Sequence, residues 1–391
     1  MTIREFKQLS REERSARLKE ITLVFLKLGA SSFGGPAAHV ALMDSEIVCK
    51  RKWISREKFV DLLGATNLIP GPNSTEMAIH LGMERGSVPG LFLAGLAFII
   101  PGMLISLAFA YAYVQYGSLP DVGFILQGIK PVIIAVILQA LIRLGKTVIK
   151  TRVSVVIAAA VIAAYALGLN ELLLLLIAGV LMMLIRNRKK LFGRMHALCL
   201  LPISVLPHSA ALSSSGSMPL QNLFLTFLKI GSVLYGSGYV LLAFLETEFV
   251  KNASILTNRQ LLDAVAVGQF TPGPVFTTAT FIGYLIRGTP GALLATLGIF
   301  LPSFFLVWLL NPLIPRMRSS TWISGVLDGV NIASLGLMAV VSVKLGLNAL
   351  VDWMTLIIFI AASALLLKTK VNSVWLIMAG GLVGWAAHFL R

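Results

Sequence analysis

The stretch "GATNLIPGPNSTEMAIHLG", residues 64–82, sets Pro70-Gly71-Pro72 inside a run that otherwise reads as a membrane helix. A second such break, in "AVGQFTPGPVFTTATFIGY", stands at residues 266–284, and Pro272 lies 202 residues after Pro70. Upstream, "FLKLGASSFGGPAA" (25–38) aligns with "FLKIGSVLYGSGYV" (227–240) at the same offset, pairing Lys27 with Lys229, Gly29 with Gly231 and Gly34 with Gly236. Asp44 pairs with Glu246, Glu46 with Glu248 and Asp61 with Asp263. Beyond a one-residue deletion, Pro89 pairs with Pro290 and Pro101 with Pro302. An internal repeat on this scale means two homologous halves.

The composition says where such halves reside. Of 391 residues, 57% are hydrophobic and 13% charged, with a mean hydropathy of +0.86. Soluble domains are about 25% charged, and a spanning helix needs roughly 20 mostly apolar residues. Apolar windows recur near 20–43, 59–82, 88–115, 122–145, 153–169 and 170–185, then near 221–245, 261–286, 289–310, 322–346, 351–367 and 371–389. The fold class expected is an all-α polytopic membrane protein. The net charge of +16 belongs to short loops and ends under the positive-inside rule, so no nucleic-acid partner is expected. Residues 1–19 read as a cytoplasmic amphipathic helix rather than a cleaved signal. A first membrane repeat over 20–185, a connector over 186–220 and a second repeat over 221–391 complete the division.

Charge also orients the halves. Lys50, Arg51, Lys52, Arg56 and Lys58 crowd the loop after the first segment, whereas its counterpart "ETEFVKNASILTNRQ" holds Lys251 and Arg259 beside two glutamates. Arg143, Lys146, Lys150 and Arg152 mark a further cytoplasmic loop, as do Arg186, Arg188, Lys189 and Lys190. The halves are therefore expected as an inverted repeat, with the N-terminus in the cytoplasm and Lys344 falling outside against the rule. Inversion requires an odd number of crossings before residue 220, and the short, two-proline stretch 197–212 is the candidate for one extra crossing.

Proline removes an amide donor and clashes with the preceding turn, and it pushes the residue before it toward extended backbone. Each Pro-Gly-Pro is thus a broken or re-entrant helix, tolerated at membrane depth only inside protein or along a wet cavity. Matched breaks in two halves point to a transporter's binding site. The second piece of a broken helix offers free N–H groups and a partial positive charge, which suit an anion. The candidate substrate-binding set is Lys27, Ser31, Ser32, Phe33, Gly34, Gly35, Pro36, Asn67, Pro70, Gly71, Pro72, Asn73, Ser74 and Thr75 in the first half. In the second half it is Lys229, Tyr235, Gly236, Ser237, Gly238, Gln269, Pro272, Gly273, Pro274 and Thr277. Snorkelling to an interface is the alternative role for Lys27 and Lys229, and helix packing is the alternative for the glycines. His39 and Lys130 are further candidates for lining the cavity. Glu76 and His80, i and i+4 on the half-helix after Pro72, form a candidate proton-coupling pair. At the 202 offset the second half has Thr278 and Ile282 there.

Neither a GxxxxGK[ST] phosphate loop nor an HExxH motif occurs, and Cys49 and Cys199 make no CxxC. No cofactor and no metal are expected, and the protein is not expected to be an enzyme. Uphill transport must then draw on an ion gradient or the membrane potential.

"FLKLGASSFGGPAAHVALM", "NLIPGPNSTEMAIHLG" and the second-half "YGSGYV" and "LLDAVAVGQFTPGPV" resemble the chromate ion transporter (CHR) family, in its long two-domain form, over nearly the whole chain. The resemblance implies an inner-membrane efflux carrier for chromate with halves of opposite orientation. It implies that Phe33–Pro36, Asn67, Pro70–Pro72, Gly236–Gly238, Gln269 and Pro272–Pro274 are sensitive positions. Tyr235 and Gly238 replace Phe33 and Pro36, so the second break is softer. The partners expected are a small inorganic oxyanion and the lipid bilayer, with a homodimer left open. A sulfate-type uptake carrier and an intramembrane enzyme acting on a phosphorylated lipid are the alternatives.

Overall fold

The computed structural model describes residues 3–117, 119–192, 218–235, 240–314, 317, 320–369 and 371–388. Among them every regular element is a helix. A short α1 (Ile3–Gln8) precedes α2 (Arg11–Ser31), which starts at a Ser10/Glu13 capping box and runs unbroken to the first break. The Ser10 amide and hydroxyl hold the Glu13 carboxyl below its ordinary pKa. The separate helix expected over 1–19 is therefore divided at Ser10, because that serine satisfies the first-turn amides of a new helix.

After the break come α3 (Pro36–Met43), continued by a wide π turn over Asp44–Lys50, and α4 (Arg56–Thr66). α5 (Asn73–Tyr116) is two arms that meet at Gly86 and Ser87, where the backbone leaves helical geometry. A Cβ on Gly82 would overlap the Gly90 carbonyl, so the arms lie backbone against backbone. Three more helices follow: α6 (Pro120–Val148), α7 (Arg152–Ala166) and α8 (Glu171–Phe192).

The second half repeats the plan. It comprises α9 (Leu220–Val233), α10 (Leu241–Leu245) with a π turn over Glu246–Asn252, and α11 (Asn258–Phe270). A 3-10 turn at Val275–Thr277 leads into the two-armed α12 (Thr278–Leu310), which reverses at Arg287 and Gly288. Then come α13 (Thr321–Ala349), α14 (Trp353–Lys368) and α15 (Ser373–His388). Equivalent caps start α4 and α11: Ser55 accepts from the Lys58 amide and Thr257 from the Gln260 amide.

Ion pairs show that the broken segments turn back. Lys58, at the start of α4, pairs with Glu84 at the end of the first α5 arm (3.1 Å). Arg85 and Arg51 both reach Glu20 of α2 at 2.9 Å. Segments α2–α3 and α4–α5 therefore enter and leave by one face, the first face, as two re-entrant hairpins. The windows 20–43 and 59–82 are thus hairpins, not spans.

The second arm of α5 then crosses. Halfway along it Gly102 packs on the Pro272 carbonyl, and near its far end the Tyr113 hydroxyl donates to Asp263 of α11 (2.9 Å). The hairpins of the second half thus rest on the opposite, second face, where Arg287 Nε donates to the Met218 carbonyl (2.7 Å). The repeat is inverted.

The halves are also interlocked. α6 packs on α14 and α15, while α13 packs on α7 and α8. Gly128 lies against Gly380 and Gly384, and its equivalent Gly329 lies against Ala178 and Gly179. Among the described residues four helical segments are long and apolar enough to cross a membrane, Asp121–Val148 and Thr321–Ala349 being two of them. Outward-facing Trp353 and Trp375, 80% and 68% exposed, suit a lipid boundary. The extra crossing expected near 197–212 lies outside the described residues.

Candidate functional site

The two Pro-Gly-Pro breaks meet in the interior. Residues Pro70–Pro72 and Pro272–Pro274 are all buried. The Gly71 amide donates to the Leu234 carbonyl at 2.7 Å, and the Gly273 amide donates to the Ser32 carbonyl at 2.9 Å. These bonds are repeat-equivalent, since each glycine reaches the first break of the other half. Gly71 and Gly273 hold φ of 137° and 88°, a backbone that side chains rarely adopt. The two glycines, members of the candidate substrate-binding set, thus spend their amides on joining the halves, because a buried amide cannot stay unpaired.

Donors remain just past each break. The Thr75 and Glu76 amides turn back to the Pro72 carbonyl, and those of Asn73 and Ser74, at the start of the first α5 arm, have no backbone partner among the described residues. At α3 the Ala38 and His39 amides bond the Gly35 carbonyl, and that of Ala37 has no backbone partner among the described residues. Both helix starts open into adjoining cavities. One, of ≈360 Å³, is lined by Pro36, Asn67, Pro72, Asn73 and Ser74 together with Thr147, Val275, Phe276 and Asn331. The other, of ≈270 Å³, is lined by Gly34, Pro36, Ala37, Gln139, Arg143 and Thr147. Pro36, Leu144 and Thr147 are common to both.

Gln139, Arg143 and Thr147 fall at i, i+4 and i+8, one face of α6 at its first-face end. They are absent from the candidate set above, where Arg143 figures only as a loop marker. That polar stripe on an apolar helix is the signal that would have found them. Arg143 supplies a guanidinium to the cavity at the start of α3, which adjoins the cavity at the start of the first α5 arm, an arrangement suited to a small oxyanion.

The structure divides the other candidates. Asn67 accepts from Asn73 Nδ2 (3.0 Å) at the cavity wall. Ser32 is buried, its carbonyl used by Gly273, while Phe33 is 37% exposed and the Ser31 hydroxyl donates to the Lys27 carbonyl. Lys27 is exposed on α2, and Lys229 pairs with Glu248. Neither lysine lines the cavities. Tyr235 is half-buried, Gln269 is buried, and the Thr277 hydroxyl donates to the Pro274 carbonyl (2.9 Å). Gly236, Ser237 and Gly238 lie outside the described residues. His39 meets the Phe98 ring edge-on, and Lys130 pairs with Asp263 at 3.0 Å. These two sit in packing rather than in the cavity wall.

Glu76 and His80 are fully buried on the first arm of α5. A Cβ on Gly71 would strike both the Glu76 carboxylate and the Ser303 hydroxyl, so Glu76 sits directly behind the break. The glycine contact 82/90 recurs as 283/291, which places the one-residue deletion between residues 73 and 82. The Thr75 amide bond to the Pro72 carbonyl recurs as Thr277 to Pro274, so Thr277 is the counterpart of Thr75, and Glu76 has no carboxylate counterpart in the second half. No group of three or more metal-ligating side chains occurs among the described residues.

A family model described as "Chromate transporter" matches the chain twice, over residues 19–183 and 221–385. The chromate transport protein of Cupriavidus metallidurans is 33% identical over 377 residues, covering 95% of this chain and 93% of the relative. A probable chromate transport protein of Synechococcus elongatus is 32% identical over 351 residues, 88% of each chain. The chromate transport protein of Pseudomonas aeruginosa is 30% identical over 379 residues, 92% of this chain and 90% of the relative. No solved structure matches significantly. The chain, a multi-pass membrane protein with one copy of the family unit in each half, belongs to the chromate transporter family.

Proposed function

We propose that the protein exports chromate, or a related tetrahedral oxyanion, across the inner membrane by alternating access. One observation carries this reading: two half-helix N-termini and Arg143 converge on connected cavities at the first-face end of α6. The basic loops around Lys50–Lys58 and Lys146–Arg152 belong to that face, which the positive-inside rule assigns to the cytoplasm along with the N-terminus. An anion would load from the cytoplasm, and rocking of one half against the other would release it outside. Its partners are then the oxyanion and the bilayer. Glu76 is the proton-coupling group in this scheme, a buried carboxyl lodged behind the Gly71 break, with His80 one turn along.

Everted vesicles carrying the protein are expected to accumulate radiolabelled chromate above vector-only vesicles. Accumulation confined to right-side-out vesicles would show an uptake carrier instead. Glu76→Gln, which keeps the shape of the side chain and removes its proton exchange, should fold and lose the pH dependence of flux. Full retention of that dependence removes Glu76 from coupling.

A further inference from the structure

Arg143-Leu144-Gly145 of α6 and Lys344-Leu345-Gly346 of α13 are the same place in the two halves. Their surroundings differ. Lys344 lies 3.4 Å from Glu246, a carboxylate only 3% exposed. Glu246 also pairs with Lys251 (3.2 Å) and accepts from the Tyr165 hydroxyl (3.1 Å). The repeat counterpart of Glu246 is Asp44, which pairs with Arg56 at 2.6 Å instead. Arg143 has no ion-pair partner among the described residues and lines the open cavity. On the second face, the space left beside Gln269 and Val275 is ≈10 Å³.

A cation enclosed without an anion is costly, so a face that closes over an empty site needs a counter-charge from the protein itself. Glu246, buried itself, stands ready to supply it to Lys344, whose side chain is 42% exposed here. A carboxylate and an oxyanion compete for one cation, and both cannot hold it at once. We propose that Arg143 and Lys344 bind the transported oxyanion in turn, one from each face, and that Asp44 and Glu246 take its place when that face is closed. This deepens the oxyanion-carrier reading above and rests on it.

The two ends are unequal in a useful sense. Arg143 can grip two oxygens of a tetrahedral anion through its planar fork, whereas Lys344 offers a point charge. Tyr165 and Lys251, which help hold Glu246, have Leu366 and Cys49 as counterparts, so Asp44 has no such support. Both differences favour firm loading at the first face and easy release at the second. They also account for Lys344, the lysine that falls on the wrong side by charge.

The test is the ratio of KM at the second face to KM at the first, from right-side-out and everted vesicles with radiolabelled chromate, sulfate and molybdate. Arg143→Gln should lower the ratio and Lys344→Gln raise it, each about tenfold, the loss of one charge-assisted contact. Arg143→Lys should recover most of the first effect. Removing the competitor reverses the sign: Glu246→Gln lowers the ratio and Asp44→Asn raises it. A purely structural role would move both faces together. Unchanged ratios in Arg143→Gln and Lys344→Gln, or Glu246→Gln and Lys344→Gln moving the same way, would overturn the pair while wild-type flux upheld the carrier. A wild type that moves none of the three anions would overturn both.

Discussion

The first and second halves share every helix of the repeat and differ at their breaks. In the first, Asn67, Asn73, Ser74 and Thr147 border open space. In the second, Val275 and Phe276 stand just past the Pro-Gly-Pro, and Thr277 bonds its own turn. Glu76 has no carboxylate counterpart in the second half, and Lys130 has Asn331. Duplication thus supplied a symmetric frame, and the polar substitutions on it are one-sided. A two-fold scaffold gives two related conformations their geometry, and side-chain asymmetry gives a direction.

The largest expected break in this comparison is at Lys130. Its pair with Asp263 is buried, the two side chains being 9% and 1% exposed, whereas the counterpart Asp61 is exposed. Lys130→Met should destabilise by about 3–5 kcal/mol, since it strands a buried carboxylate. Asn331→Ala, at the equivalent place, should cost little, and melting in detergent measures both. Next comes Gly71→Ala against Gly273→Ala. Both carry positive-φ strain of about 1–3 kcal/mol. The added methyl strikes Glu76 and Ser303 only at Gly71, while at Gly273 its nearest neighbour is 3.3 Å away. Gly71→Ala should therefore melt lower, and equal melting would show that the first break can shift. The smallest effects test sameness: Ser55→Ala and Thr257→Ala should each cost about 1 kcal/mol. Unequal losses would mean that α4 and α11 are not equivalently held.

Much of this frame could be read from residues. Pro70-Gly71-Pro72 and Pro272-Gly273-Pro274 announce their breaks because proline cannot sit in a helix interior without cost. Inversion was visible in charge, since the π turn of one half is followed by four basic residues, Arg51, Lys52, Arg56 and Lys58, and that of the other by Arg259 before α11 is under way. The turn back at Gly86–Ser87 was visible in part. The charged, Gly- and Pro-bearing stretch Glu84–Gly90 separates the apolar windows 59–82 and 88–115, but whether the chain reverses there or crosses is decided by the packing of Gly82 on Gly90, a contact no composition encodes. Acceptors for Gly71 and Gly273 come from the opposite half, a long-range pairing that no local pattern encodes. Lys27 and Lys229 were correctly paired by homology, but homology carries no information on where a flexible side chain points. Arg143 was seen and misfiled, because a basic residue near a helix end satisfies the positive-inside rule whether it faces water or a binding cavity.

The crossed amide bonds bear on synthesis and assembly. Ser32 emerges early from the ribosome, yet the donor for its carbonyl, Gly273, is made only after the helices between them. Until then the early hairpin carries an acceptor whose native donor does not yet exist. Halves expressed as separate polypeptides would meet the same demand by inserting in opposite senses and finding each other.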